Sequence, residues 1–96
     1  MPAAAPLDIH HEPAAQRFVA RIGSDEAVLE YDTVDAKTLD YHHTFVPPAL
    51  RGGGIASQLA DLALRYARDN GLKVRPTCPF VARYLQRHPE FQPLVG

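Results

Sequence analysis

Residues 51–56 read Arg51-Gly52-Gly53-Gly54-Ile55-Ala56, and the segments on either side of them indicate the fold. After this stretch, apolar side chains recur at helical spacing and stop before Asn70-Gly71, which is typical of a helix end. The apolar positions are Ile55, Leu59, Leu62, Ala63, Tyr66 and Ala67. Before it, Pro47-Pro48 ends a strand, because proline cannot donate to the ladder. The sequence therefore predicts a glycine turn between a strand and a long helix.

A glycine turn at the start of a helix is suited to hold an anion. Glycines allow backbone conformations and close approaches that a Cβ atom forbids. The first helical turn leaves amide N–H groups without internal partners, and its dipole favours negative charge. Arg51 can add a bidentate contact. The glycine spacing is not that of the dinucleotide fingerprint, and the Gly-Lys-Ser/Thr of a triphosphate loop is missing. The motif therefore predicts an anion site, with a flexible loop of no special use as the alternative.

Alternating residues upstream predict three antiparallel strands. They cover residues 17–22, 27–31 and 38–46, with a turn at 23–26 and a second connection at 33–37. In the third strand, alternation places Leu39, Tyr41, His43 and Phe45 on one face, and Asp40, His42 and Thr44 on the other. Residues 1–15 are rich in Ala and Pro and are predicted to form a flexible N-terminal arm, which leaves residues 16–96 as the folded domain.

The segment after the long helix predicts a parallel strand and a second helix. Residues 72–77 follow a helix, which favours a βαβ crossover from the strand at 38–46. Pro79 suits a first helical position after Thr77 or Cys78, and Pro89 ends that helix. The predicted fold class is α+β, with antiparallel strands followed by a βαβ crossover, a long helix packed on the sheet and a short C-terminal helix.

Composition limits the classes of function. Ninety-six residues make one domain, and 46% hydrophobic residues suit a folded globule. No apolar run approaches the roughly 20 residues of a membrane span, and one cysteine cannot form an internal disulfide. A cytoplasmic, monomeric protein is expected.

The charge is distributed unevenly along the chain. Residues 1–50 carry three basic and eight acidic side chains, a net charge of −5, whereas residues 51–96 carry seven basic and three acidic side chains, a net charge of +4. A polyanion would prefer the second half and a cationic acceptor the first, although both charge sets could simply face solvent. The basic residues are too dispersed for a nucleic-acid binder.

The glycine turn resembles the Arg/Gln-x-x-Gly-x-Gly/Ala signature of GCN5-related N-acetyltransferases. The wider chain, over about residues 15–95, is similar to a small single-domain, YjdJ-like subgroup of that superfamily. The matching segments are His43-Thr44-x-Val46-Pro47, Arg51-Gly52-x-Gly54-Ile55-Ala56, Pro76-x-Cys78 and Arg87-His88-Pro89-Glu90-Phe91. The resemblance implies an acetyl-CoA-dependent enzyme without a metal. It assigns coenzyme binding to Phe45, Val46, Arg51, Gly52, Gly53, Gly54, Ile55 and Ala56.

The chain also departs from full-length members of this superfamily. They insert two helices between the first two strands, where this chain has only the turn at 23–26, and they add two strands after the last helix. The coenzyme half is therefore retained, while the half that binds the acceptor amine is cut back. An amine or an exposed lysine is the expected acceptor.

His43 and Cys78 are the candidate catalytic residues. His43 would act as general base near the thioester, and Cys78 would protonate the leaving thiolate or carry the acetyl group. Each also has a structural interpretation, His43 as a hydrogen-bonded sheet residue and Cys78 as a small buried side chain. Tyr84 is an alternative acid or a core residue. Arg83 and Arg87, one turn apart, are expected to meet phosphate oxygens or to face solvent.

Three functions fit these features. The first is acetyl transfer to an amine by direct attack on the thioester. The second is a non-catalytic acyl-CoA-binding module, and the third is an interaction protein that has kept only the fold. The motifs indicate coenzyme binding rather than turnover, so the sequence leaves all three open.

Overall fold

The structure, a computed structural model, describes residues 8–96, and the first seven residues of the predicted arm lie outside this range. Five strands form one sheet in the order β1-β2-β3-β4-β5, namely β1 (Asp8–Glu12), β2 (Arg17–Ile22), β3 (Asp25–Asp35), β4 (Thr38–Phe45) and β5 (Lys73–Arg75). The helices are α1 (Ile55–Asp69) and α2 (Pro79–Arg87), and short 3-10 turns lie at Pro13–Ala15, Pro48–Leu50 and Pro89–Leu94. Among these five strands, β4 and β5 form the one parallel pair, and an isolated parallel bridge joins Val74 to Val95. The predicted α+β class, with its crossover through α1, is confirmed. Neither helix of residues 8–96 is long and apolar enough to cross a membrane.

Helix α1 packs on one face of the sheet, which we call the helix face. Its buried residues recur at helical spacing and are Ile55, Leu59, Ala60, Ala63, Leu64 and Ala67. They meet the aromatic and aliphatic side chains of the strands, including Phe18, Leu29, Tyr31 and Tyr41. The Tyr41 hydroxyl, deep in this core, donates a 2.6 Å hydrogen bond to the Ala63 carbonyl. A buried polar group with a partner avoids the cost of desolvation, so this bond fixes β4 against α1.

Residues 8–12 pair with β2 as strand β1, so the prediction of a flexible arm is wrong for this part of the chain. His11 supplies the reason. Its ring stacks on Phe18, with the ring centroids 4.3 Å apart, and its Nε2 lies 2.6 Å from the Tyr31 hydroxyl oxygen. The Ala- and Pro-rich composition of this segment does not indicate a strand, because β1 is stabilised by contacts of His11 with residues of β2 and β3.

The predicted faces of β4 are also wrong beyond Tyr41, because a β-bulge interrupts the ladder at His42. Tyr31 pairs with Tyr41, but the preceding residue, Glu30, pairs with His43. The extra residue shifts the alternation by one. Thr44 consequently lies opposite the buried Leu29 on the helix face, whereas His43 lies on the opposite face of the sheet and is exposed.

The face of the sheet opposite α1, which we call the open face, is covered by an ion-pair network around Val19. Glu12 and Glu26 each bind both Arg17 and Arg21, at distances between 2.7 and 3.3 Å. His10 extends the network through its Nδ1 to Asp8 and its Nε2 to Glu12. The aliphatic stems of such side chains can cover apolar surface, which is consistent with a Val19 that is fully buried.

The pKa values of the neighbouring residues His10 and His11 should shift in opposite directions from the usual value for histidine. The carboxylates of Glu12 and Asp8 raise the pKa of His10, whereas burial lowers the pKa of His11. The His10 contribution to stability is therefore present below pH 6.5 and lost as the pH rises through its raised pKa. The His11 contribution is present above pH 6.5 and lost as the pH falls through its lowered pKa.

An NMR titration of the two imidazole rings measures this difference directly. The Glu12→Gln variant is the control, because it should lower the pKa of His10 and leave His11 unchanged. Equal pKa values for both rings in the wild-type protein would contradict the described environment of β1.

Candidate functional site

The N-terminus of α1 presents backbone N–H groups that nothing in the helix uses. Gly54 is the N-cap in a left-handed conformation, with φ 77° and ψ 12°, and no side chain caps this end. The first helical hydrogen bond runs 3.0 Å from the Gln58 N–H to the Gly54 carbonyl. The amides of Ile55, Ala56 and Ser57 therefore have no partner within the helix. Glycine is required at position 54, because a side chain there would be strained.

A cavity of about 200 Å³, which we call the turn cavity, lies against these amides. It is lined by Val46, Leu50, Arg51, Gly52, Gly54, Ile55, Ala56, Ser57 and Phe80. The Arg51 Nε donates a 2.9 Å hydrogen bond to the Val46 carbonyl, which bridges the end of β4 and the turn. The Nη groups of Arg51 make no hydrogen bond to the described residues. The wall of the cavity thus combines amide donors, the dipole of α1 and a guanidinium, all of which favour an anion.

Most of the residues predicted to bind the coenzyme line this cavity. Val46, Arg51, Gly52, Gly54, Ile55 and Ala56 are among the lining residues, whereas Phe45 and Gly53 are not. Phe45 pairs with Val28 and is 44% exposed. The two bulky lining residues absent from the prediction, Leu50 and Phe80, belong to other elements that fold back on the turn.

The candidate catalytic residues lie outside the turn cavity, on opposite sides of β4. Cys78 is 6% exposed, and its Sγ donates a 3.4 Å hydrogen bond to the Thr44 Oγ1. The backbone N–H of Cys78 donates a hydrogen bond to the Tyr41 carbonyl. This bond holds the segment that follows β5 against β4, just before α2 begins. His43 lies on the open face beside Glu30. The bulge at His42 separates the two candidates, because it turns Thr44 toward Cys78 and His43 away.

A second cavity, of about 300 Å³, adjoins the turn cavity along α2. It is lined by Ser57, Phe80, Arg83, Tyr84, Arg87 and His88, so that Ser57 and Phe80 border both cavities. The rings of Tyr84 and His88 stack with centroids 3.8 Å apart. Arg83, Arg87 and Tyr84 were candidates from the sequence, whereas Ser57, Phe80 and His88 were not linked to them. The signal was the spacing of Phe80, Arg83, Tyr84 and Arg87 on one face of a helix.

Similarity to known proteins identifies the family of this chain. The profile of the GCN5-related N-acetyl-transferase family matches residues 17–94. This range includes both helices and the four strands β2 to β5. The chain belongs to this family. The NMR solution structure of a GCN5-like protein from Staphylococcus aureus has a TM-score of 0.70 at 26% sequence identity. The alignment covers 99% of this chain and 91% of that one.

Two vertebrate proteins are similar to most of this chain. Protein NATD1 from Gallus gallus is 36% identical over 86 residues, which is 88% of this chain and 78% of the relative. Protein NATD1 from Homo sapiens is also 36% identical over 86 residues, or 88% of this chain and 76% of the relative. The domain therefore belongs to a family of acyltransferases, and members of this family generally use acetyl-CoA.

Proposed function

We propose that the protein is an acetyl-CoA-dependent N-acetyltransferase that acts on a small amine or an exposed lysine. The observation that carries the proposal is the uncapped N-terminus of α1. Its free amides and Arg51 line a cavity at the point in the chain that resembles the coenzyme-binding signature of the family. A pyrophosphate is the anion that this turn would hold when acetyl-CoA is bound.

The positions of His43 and Cys78 suit opposite ends of a direct transfer. His43 would take a proton from the attacking amine as its nitrogen forms a bond to the acetyl carbon. The bond between that carbon and the coenzyme sulfur breaks, and Cys78 would give its thiol proton to the departing sulfur, then recover one from solvent. In this proposal the amine approaches on the side of β4 that carries His43, and the coenzyme sulfur lies on the side that carries Cys78.

The acceptor is proposed to be cationic in its resting form. Strands β1 to β4 carry all eight acidic side chains of residues 1–50, and this excess attracts an ammonium group. Asp32, on the open face, lies 3.6 Å from the Nε2 of His42, the bulge residue next to His43. An acceptor that approached from this side would meet negative charge near the candidate base.

Replacement of Arg51 by alanine should weaken acetyl-CoA binding by between about 10-fold and 100-fold. A hydrogen bond to a charged group contributes about 1.5–3 kcal/mol, and each 1.4 kcal/mol changes the Kd tenfold. Calorimetric titration of wild-type protein and variant with acetyl-CoA measures the effect. Arg75→Ala is the matched control, because Arg75 is an exposed arginine of β5 outside both cavities.

The outcomes of this titration separate the three functions. No heat of binding in the wild-type protein would refute both coenzyme-dependent functions. Equal affinities for the wild type and Arg51→Ala would refute the role of Arg51 alone. Binding that responds to Arg51 but never supports turnover, across a panel of amines and lysine peptides, would indicate an acyl-CoA-binding module.

A further inference from the structure

The proposed transfer by His43 and Cys78 does not use the cavity along α2, which adjoins the proposed pyrophosphate site. Ser57 lies in the first turn of α1 and Phe80 in the first turn of α2, and both line the two cavities. A ligand whose phosphates bind at the glycine turn therefore has a continuous path into this second space. Helical rise places Phe80 and Arg87 about 10 Å apart along α2, which sets the length of that path.

The walls of this cavity combine two kinds of group. Arg83 and Arg87 follow one another by one helical turn and make no ion pair within residues 8–96. The remaining wall is aromatic, with Phe80 and the stacked rings of Tyr84 and His88. The His88 Nδ1 donates a 2.8 Å hydrogen bond to the Tyr84 carbonyl, which fixes the imidazole on the phenol ring.

One of the two carboxylates that act on Tyr84 is already engaged in an ion pair. Asp61 accepts a 3.4 Å hydrogen bond from the Tyr84 hydroxyl and forms a 2.8 Å ion pair with the Arg65 Nε. Its charge is therefore balanced by Arg65. Glu90 also lies near enough to help raise the pKa of Tyr84, but within residues 8–96 it forms no ion pair with Arg83 or Arg87. Two guanidiniums beside flat aromatic surfaces suit a ligand that carries both a phosphate and a planar base.

We infer that the cavity along α2 binds the adenosine 3′-phosphate end of coenzyme A, an inference that rests on the proposed function. Arg83 and Arg87 bind the 3′-phosphate, and the wall formed by Phe80, Tyr84 and His88 packs against the adenine. The turn cavity then holds the pyrophosphate, and the protein distinguishes coenzyme A from its 3′-dephospho form.

Calorimetric titration with coenzyme A and with 3′-dephospho-coenzyme A tests this assignment. The wild-type protein should bind coenzyme A between about 10-fold and 100-fold more tightly, from one or two charge-assisted hydrogen bonds. The double variant Arg83→Ala/Arg87→Ala should lose this preference and bind both ligands with the affinity that the wild type has for the dephospho form. Arg75→Ala, an exposed arginine elsewhere, should keep the full preference.

Fragments of the coenzyme test the adenosine part. Adenosine 3′,5′-bisphosphate should displace coenzyme A from the wild-type protein, and adenosine 5′-monophosphate should do so far more weakly. Equal binding of coenzyme A and its dephospho form by the wild type would overturn the inference and leave the proposed function standing. If neither form nor acetyl-CoA binds, the proposed function itself fails and the inference falls with it.

Discussion

Gly54→Val is expected to reduce acetyl-CoA binding by about 100-fold or more, through loss of at least two aligned amide contacts worth about 1.5–3 kcal/mol each. Gly54 has φ 77°, a conformation that costs a β-branched residue on the order of 1–3 kcal/mol. The strain can be relieved only by rotation of the peptide groups that aim the first amides of α1. A Cβ built at this position meets no protein atom within 4 Å, so the Cβ atom itself causes no clash with the protein. The loss of affinity therefore arises from backbone distortion and from crowding of the ligand.

Gly71→Val is the matched control for this substitution. Gly71 has φ 66° and likewise no atom within 4 Å of a built Cβ, but it lies beyond the far end of α1. Both variants should lose similar stability in thermal unfolding, and only Gly54→Val should lose affinity in the calorimeter. A folded Gly54→Val protein that binds acetyl-CoA as the wild type does would eliminate the turn as the pyrophosphate site.

The glycine turn could be predicted from sequence because its signals are local. Positive-φ glycines, the helical spacing after Ile55 and the proline stop before the turn each act within a few residues. The parallel pairing of β4 and β5 also followed, because a strand joined to the next strand through a helix pairs with it by a right-handed crossover. These features position the turn cavity, which is lined by most of the residues predicted to bind the coenzyme, and their role in binding stays a prediction.

The errors occurred where tertiary contacts override local pattern. Period-two alternation places His43 with Tyr41, and nothing within residues 38–46 indicates that His42 bulges out of the ladder. The pairing partner that reveals the bulge, Glu30, is 13 positions away from His43 in sequence. Strand β1 was missed for the same reason, because His11 is stabilised by Phe18 and Tyr31 rather than by its neighbours. The second cavity needs Ser57 of α1 beside α2, a juxtaposition that only the folded chain provides.

Cys78→Ala is expected to lower turnover by about 10²–10⁴-fold and to leave the Kd for acetyl-CoA unchanged, since this is the range over which general acid–base groups act. Cys78 is buried beside β4, with its thiol hydrogen directed to Thr44, and lies outside both cavities that we assign to the coenzyme phosphates. The measurement is steady-state release of the coenzyme thiol with an amine acceptor found by screening. Calorimetry on the same protein shows whether binding is retained.

Cys78→Ser separates a chemical role from a structural one. A serine hydroxyl is nearly isosteric and can keep the hydrogen bond to Thr44, but it is a far weaker acid and nucleophile than a thiol. A structural role predicts that Ser restores the activity that Ala loses, and such a rescue would end the case for Cys78 as proton donor. An acyl carrier instead predicts a protein mass increased by one acetyl group after incubation with acetyl-CoA alone.

His43→Ala tests the candidate base. If His43 is the base, the loss of turnover in this variant should shrink as rising pH deprotonates the acceptor amine. A loss of turnover that does not depend on pH would exclude that role.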